Sequence, residues 1–102
     1  MECGLIGEKL RHSFSPRIHA ALADYDYKLV ELTPQELAPF IRERTFRGVN
    51  VTIPYKKAII PLCDCVSQEA QEIGSVNTLV NRDGVLTGYN TDIDGFLYLA
   101  QR

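Results

Sequence analysis

Lys56 follows Pro54-Tyr55 just past an alternating polar and apolar run, and a lysine fixed at a strand tip inside a cleft can serve as a general acid or base when its proton is shared. Asp92 falls in the first turn of an expected helix, where a carboxylate either takes part in proton chemistry or simply complements the helix dipole. Ser13 and Ser15 flank another helix start close to Lys9, Arg11 and Arg17. Hydroxyl donors, a helix N-terminus and positive charge together suit a carboxylate or phosphate, while Ser15 alone would do as a helix cap and Ser13 as a turn residue. Asn50, Thr52 and Asn77 are side chains that hydrogen-bond the hydroxyls of a polyol, although asparagine also serves in turns and threonine in strands. His12 and His19 have no carboxylate or cysteine at ligand spacing, so no metal site is expected. Spacing alone does not join these residues into one site.

The elements that must position them alternate between strand and helix. Cys3 to Gly7 is a short apolar run ended by glycine, which suits a buried first strand. Ser15-Pro16 opens a helix with Ile18, Ala21 and Leu22 at helical spacing, and Tyr27 to Leu32 alternates as a second strand. Thr33-Pro34-Gln35-Glu36 is a capping box ahead of Leu37, Phe40 and Ile41 on one face. Gly48 to Ile53 alternates strictly, with Val49, Val51 and Ile53 on one side and Asn50 and Thr52 on the other. A short helix is expected within Lys56 to Leu62, and another runs from a Ser67 cap to Gly74. Val76 to Val80 reads as a strand that turns at Asp83-Gly84 into an antiparallel partner, Val85 to Tyr89. Thr91 then caps a last helix whose Ile93, Phe96, Leu97 and Ala100 share a face, a pattern still running at Arg102. The fold class read from this order is α/β: a three-layer sandwich with a mostly parallel sheet carrying one antiparallel strand, whose ligands bind beyond the carboxyl ends of the parallel strands.

Length and composition narrow the class further. The 102 residues make one domain, 45% of them hydrophobic and 24% charged, with a formal net charge of −2. That balance is globular and carries no basic stripe for nucleic acid, and no apolar stretch is long enough for a signal peptide or a membrane span. A cytoplasmic location follows as an expectation. The odd count of 3 cysteines, Cys3, Cys63 and Cys65, reads as reduced thiols.

Taken in order, these segments resemble the N-terminal, substrate-binding domain of the shikimate dehydrogenase family over nearly the whole chain. Ser13-Phe14-Ser15-Pro16-Arg17-Ile18-His19 resembles that family's SxSPxxH segment, and Gly48-Val49-Asn50-Val51-Thr52-Ile53-Pro54-Tyr55-Lys56 resembles its GxNVTxPxK strand and loop. Gly74-Ser75-Val76-Asn77-Thr78 is similar to GAVNT, with Ser75 where alanine is more usual, and Gly88-Tyr89-Asn90-Thr91-Asp92-Ile93-Asp94-Gly95 resembles GxNTDxxG. The resemblance implies that Ser13 and Ser15 hold a substrate carboxylate, that Asn50, Thr52 and Asn77 bind ring hydroxyls, and that Lys56 and Asp92 form the catalytic pair. An acid beside a lysine stabilises its charged form, which suits a proton donor in ketone reduction. In an alternative arrangement Asp92 orients the hydroxyl while Lys56 polarises the developing alkoxide.

The implied activity is the reversible NADPH-dependent reduction of 3-dehydroshikimate to shikimate, with NADP as the cofactor of the intact enzyme. The chain itself is expected to bind no cofactor, because a dinucleotide site carries a G-x-G-x-x-G turn and the 7 glycines contain no G-x-G pair. The nucleotide-binding domain is therefore expected to be missing from residues 1–102, and turnover with it. Two other readings share these motifs: a quinate/shikimate dehydrogenase, and a stand-alone module that binds a shikimate-type acid.

Overall fold

The computed structural model describes residues 3–10 and 27–100. The helix expected from Ser15-Pro16, and with it Ser13 and Ser15, lies outside the described residues. Six strands form one sheet: β1 (Cys3–Gly7), β2 (Tyr27–Glu31), β3 (Gly48–Val51), β4 (Cys65–Val66), β5 (Thr78–Arg82) and β6 (Val85–Tyr89), in the order β2-β1-β3-β5-β6-β4. Strands β2, β1 and β3 are parallel, β5 pairs antiparallel with both β3 and β6, and β6 pairs parallel with β4. The strand that opposes the rest is thus β5, and the short edge strand β4 had no signal of its own in the sequence.

Among the described residues the helices are α1 (Pro34–Glu43), α2 (Gln68–Ile73) and α3 (Ile93–Ala100), with a 3₁₀ turn at Ile60–Leu62. At the start of α1 the Thr33 N–H donates to Glu36 Oε1 at 2.9 Å, and this bond holds the Glu36 carboxyl below its ordinary range. At α2, Ser67 Oγ accepts the Ala70 N–H at 3.2 Å, and Gly74 ends the helix at φ 77°. Asp83 (φ 55°) and Gly84 (φ 83°) make the β5 to β6 turn with the two left-handed residues such a hairpin requires.

The main core lies on one face of the sheet, where Ile6, Val49, Val51, Leu79 and Leu86 pack with Leu37 and Ile41 of α1 and Ala70 of α2. On the other face Phe96 of α3, 1% exposed, meets the Tyr27 ring edge-on, their centroids 6.1 Å apart at 80°. Helices on both faces produce the three layers. Of the apolar face expected for the last helix Phe96 is buried, whereas the side chains of Ile93, Leu97 and Ala100 lie outside the described residues.

Three local expectations change. Strand β3 stops at Val51, so Ile53 is 72% exposed and not aligned with the buried Val49 and Val51. Thr52 keeps its N–H on the Ile6 carbonyl of β1, and its carbonyl accepts the Tyr55 N–H at 3.0 Å across a turn that contains the cis Ile53–Pro54 bond. Lys56 to Leu62 forms successive turns that end in the 3₁₀ segment instead of one helix, and β5 begins at Thr78 instead of Val76.

Candidate functional site

The register brings the candidate segments to one end of the sheet. Gly7, Val51 and Tyr89 are the carboxyl ends of β1, β3 and β6, and Thr78 at the start of the opposing β5 pairs with both Asn50 and Tyr89. The loops at that end are then tied together by long-range bonds. Val76 N–H donates to the Lys56 carbonyl at 2.9 Å, Asn77 N–H to the Tyr89 carbonyl at 3.0 Å, and Val51 N–H to the Asn77 carbonyl at 2.8 Å. The Asn90 side chain closes the same corner on the Ser75 carbonyl at 2.9 Å.

Asn77 does the most. Its Oδ1 accepts the Thr91 N–H at 2.9 Å while its Nδ2 donates to the Thr91 carbonyl at 2.9 Å, so one amide side chain grips both backbone groups of the residue before Asp92. Asp92 is exposed, and its Oδ1 accepts the Gly95 N–H at 2.9 Å, which makes Asp92, not Thr91, the cap of α3. Its second oxygen makes no hydrogen bond among the described residues. Lys56 is half-buried, with its carbonyl held by Val76, and the neighbouring Tyr55 hydroxyl is anchored on the Leu32 carbonyl at 2.6 Å. Lys56 and Asp92 form no ion pair with each other and stand on the two segments that flank Asn77.

Asn50 accepts the Tyr27 hydroxyl on Oδ1 at 2.7 Å and donates through Nδ2 to Thr78 Oγ1 at 3.3 Å. Asn50 and Asn77 thus use most of their hydrogen-bonding capacity inside the protein, each with one amide hydrogen not engaged among the described residues. Thr52 lies half-buried at the tip of β3, its N–H on the Ile6 carbonyl at 3.0 Å. Glycine at position 7 permits this approach, because a Cβ there would stand 2.5 Å from Thr52 Cγ2.

A cleft of about 490 Å³ between Glu69, Ile73, Asn77, Asn90, Thr91 and Asp92 opens at this end. Of the candidate residues only Asn77 and Asp92 line it; Lys56, Asn50 and Thr52 do not, and a larger cavity of about 590 Å³ between α2 and α3 contains none of the five. Tyr27 and Thr78 were not singled out from sequence. A hydroxyl on a strand position flanked by apolar Leu79 and Val80 was the available signal for Thr78; for Tyr27 the partner lies 23 residues away. Among the described residues the two positive-φ glycines, Gly74 and Gly84, serve the end of α2 and the hairpin, and the sequence contains no G-x-G pair. Among the described residues no cluster of metal-ligating side chains is present, and no helix is long and apolar enough to cross a membrane.

A six-stranded α/β domain with polar side chains converging beyond the carboxyl ends of its parallel strands defines a small-ligand binding domain of the α/β class. Residues 5–79 match the family model described as the shikimate dehydrogenase substrate binding domain, and the chain belongs to that family. A shikimate dehydrogenase (NADP(+)) of Clostridium beijerinckii is 46% identical, the alignment covering 91% of this chain and 37% of the relative. One from Halothermothrix orenii is 50% identical, covering 91% and 35%. A shikimate 5-dehydrogenase from Thermus thermophilus, solved in complex with NADP(H) and shikimate, superposes with a TM-score of 0.80 at 40% identity, covering 96% of this chain and 40% of that one. The chain therefore spans little more than a third of the curated relatives it matches.

Proposed function

We propose that this chain is the substrate-binding part of an enzyme that interconverts 3-dehydroshikimate and shikimate, with NADP as the cofactor. The observation that carries this reading is the bonding of the Lys56, Asn77 and Thr91-Asp92 segments into one corner of the sheet. Reduction of a ring ketone requires a proton at the developing alkoxide, and Lys56 and Asp92 are the two groups there able to hold or move it. Asn50, Thr52 and Asn77 would bind ring hydroxyls through the hydrogens and oxygens they have left, and Ser13 and Ser15 would take the carboxylate. The nicotinamide group supplies the hydride, and the glycine pattern supports its being held by a nucleotide-binding domain outside this stretch. On this reading the protein works in the cytoplasm, and the isolated chain has no turnover.

An amide-resolved NMR titration with shikimate and then quinate tests the proposal. Saturable shifts at Thr52, Lys56, Asn77 and Asp92, tighter for shikimate, are expected. Tighter binding of quinate would move the assignment to a quinate enzyme, and no shift at tens of millimolar would remove the preformed site. In the longer protein carrying this stretch, Lys56→Ala and Asp92→Asn should each lower kcat by about 100-fold or more.

A further inference from the structure

A chain of hydrogen bonds runs across the α3 face of the sheet from Tyr27 to the turn that bears Asp92. The Tyr27 hydroxyl donates to Asn50 Oδ1 at 2.7 Å, Asn50 Nδ2 donates to Thr78 Oγ1 at 3.3 Å, and the Thr78 hydroxyl donates to Asn77 Oδ1 at 3.1 Å. Asn77 then grips Thr91 on both backbone groups, each at 2.9 Å.

The direction of every bond is forced from the Thr91 end. Burial holds the Tyr27 phenol protonated, well above its ordinary range, so it has a hydrogen to offer the Asn50 oxygen. The Asn50 nitrogen on the far side can only donate, which makes Thr78 Oγ1 an acceptor and sends the Thr78 hydrogen on to Asn77. At the other end the Thr91 N–H is a donor and the Thr91 carbonyl an acceptor, and these demand the same orientation of the Asn77 amide. Thr78 is fully buried, so water cannot replace its hydroxyl.

We propose that Thr78 and Tyr27 are positioning residues that lock the Asn77 amide and thereby set the Thr91-Asp92 turn at the mouth of the cleft. The assignment rests on the proposed function only for its effect on turnover. Asp92 gains from the lock because its Oδ1 already caps α3 through Gly95, so the direction of its other oxygen follows the turn.

The test is hydrogen exchange at the Thr91 amide in this chain, referred to the core amides of Leu79 and Leu86. Thr78→Val keeps the shape and removes the hydroxyl; Thr91 should exchange about tenfold faster relative to the core. Thr78→Ser, which keeps the hydroxyl, should stay within about twofold of the parent, and Tyr27→Phe, which removes the donor at the distant end, should fall between them. If Thr78→Val does not fold, Tyr27→Phe decides. Thr91 exchange that rises only in step with the core, in whichever variant is folded, overturns the proposal. In the longer protein the same variants should lower kcat for shikimate oxidation more than they raise KM, with Thr78→Ser restoring it. Absence of shikimate turnover in the parent protein would remove the functional reading and leave the exchange result to stand by itself.

Discussion

Substituting Gly7 by alanine tests how closely the first strand must approach the candidate site. The new Cβ would lie 2.5 Å from Thr52 Cγ2 and 2.8 Å from Leu10 Cδ2. Carbon atoms pack at about 3.5–4.0 Å, so roughly 1 Å has to be found. Neither neighbour moves freely: Thr52 is bonded through its N–H to Ile6 and through its carbonyl to Tyr55, and Leu10 is 3% exposed. Overpacking of this kind costs about 1–3 kcal/mol, and the reduced freedom of the unfolded chain offsets about 0.4–1 kcal/mol of it. A net loss of about 0.5–2 kcal/mol is expected, or several degrees of melting temperature at about 4–8 °C per kcal/mol for a domain of this size. Urea unfolding should show a lower midpoint at unchanged m-value, together with altered Thr52 and Leu10 signals. Thr52→Ser deletes the methyl in the closest contact and keeps the hydroxyl, so the double variant should recover at least half of the loss. Stability within about 0.3 kcal/mol of the parent, with no coupling between positions 7 and 52, would refute the close-approach argument.

Phe96→Ala removes a fully buried ring and its edge-on contact with Tyr27, and should cost about 3–5 kcal/mol in urea unfolding. A loss below about 1 kcal/mol would mean that α3 does not close the second face. Burial pushes the Cys63 thiol up from 9.0 to about 11, with Arg44 partly opposing, so the folded chain keeps a proton that the unfolded chain releases. Stability should therefore be complete below about pH 9 and fall between about pH 9 and 11, a decline that Cys63→Ser reduces. Tyr27, shifted in the same direction, adds to the fall only above pH 10. At pH 8 an alkylating reagent should modify the exposed Cys65 well before Cys63, and equal rates would contradict the burial of Cys63.

Legibility followed the range of the interactions. Strand β1 ends at Gly7, α1 opens with the Thr33 and Glu36 bond, α2 lies between Ser67 and Gly74, and the hairpin turns at Asp83-Gly84, all as the sequence indicated. Each depends on groups within a few residues of one another, so residue type and spacing carry the whole signal. The candidate residues Asn50, Thr52, Lys56, Asn77 and Asp92 were likewise readable as motifs in order.

Their arrangement was not. That β5 and not β6 is the strand opposing the rest, that Ile53 leaves the strand, and that β4 forms an edge at all depend on pairings between distant segments. Asn50 meets Thr78 across 28 positions, and Asn77 meets Thr91 across 14. An amide side chain has the same composition whether it binds a ligand or grips a loop, and only the tertiary fold decides which donors and acceptors surround it. The sequence by itself determined which side chains are available for proton transfer and hydroxyl recognition; the packing of the sheet decided that Tyr27 and Thr78 stand behind them, because a hydrogen bond is formed by proximity in space and not by order along the chain.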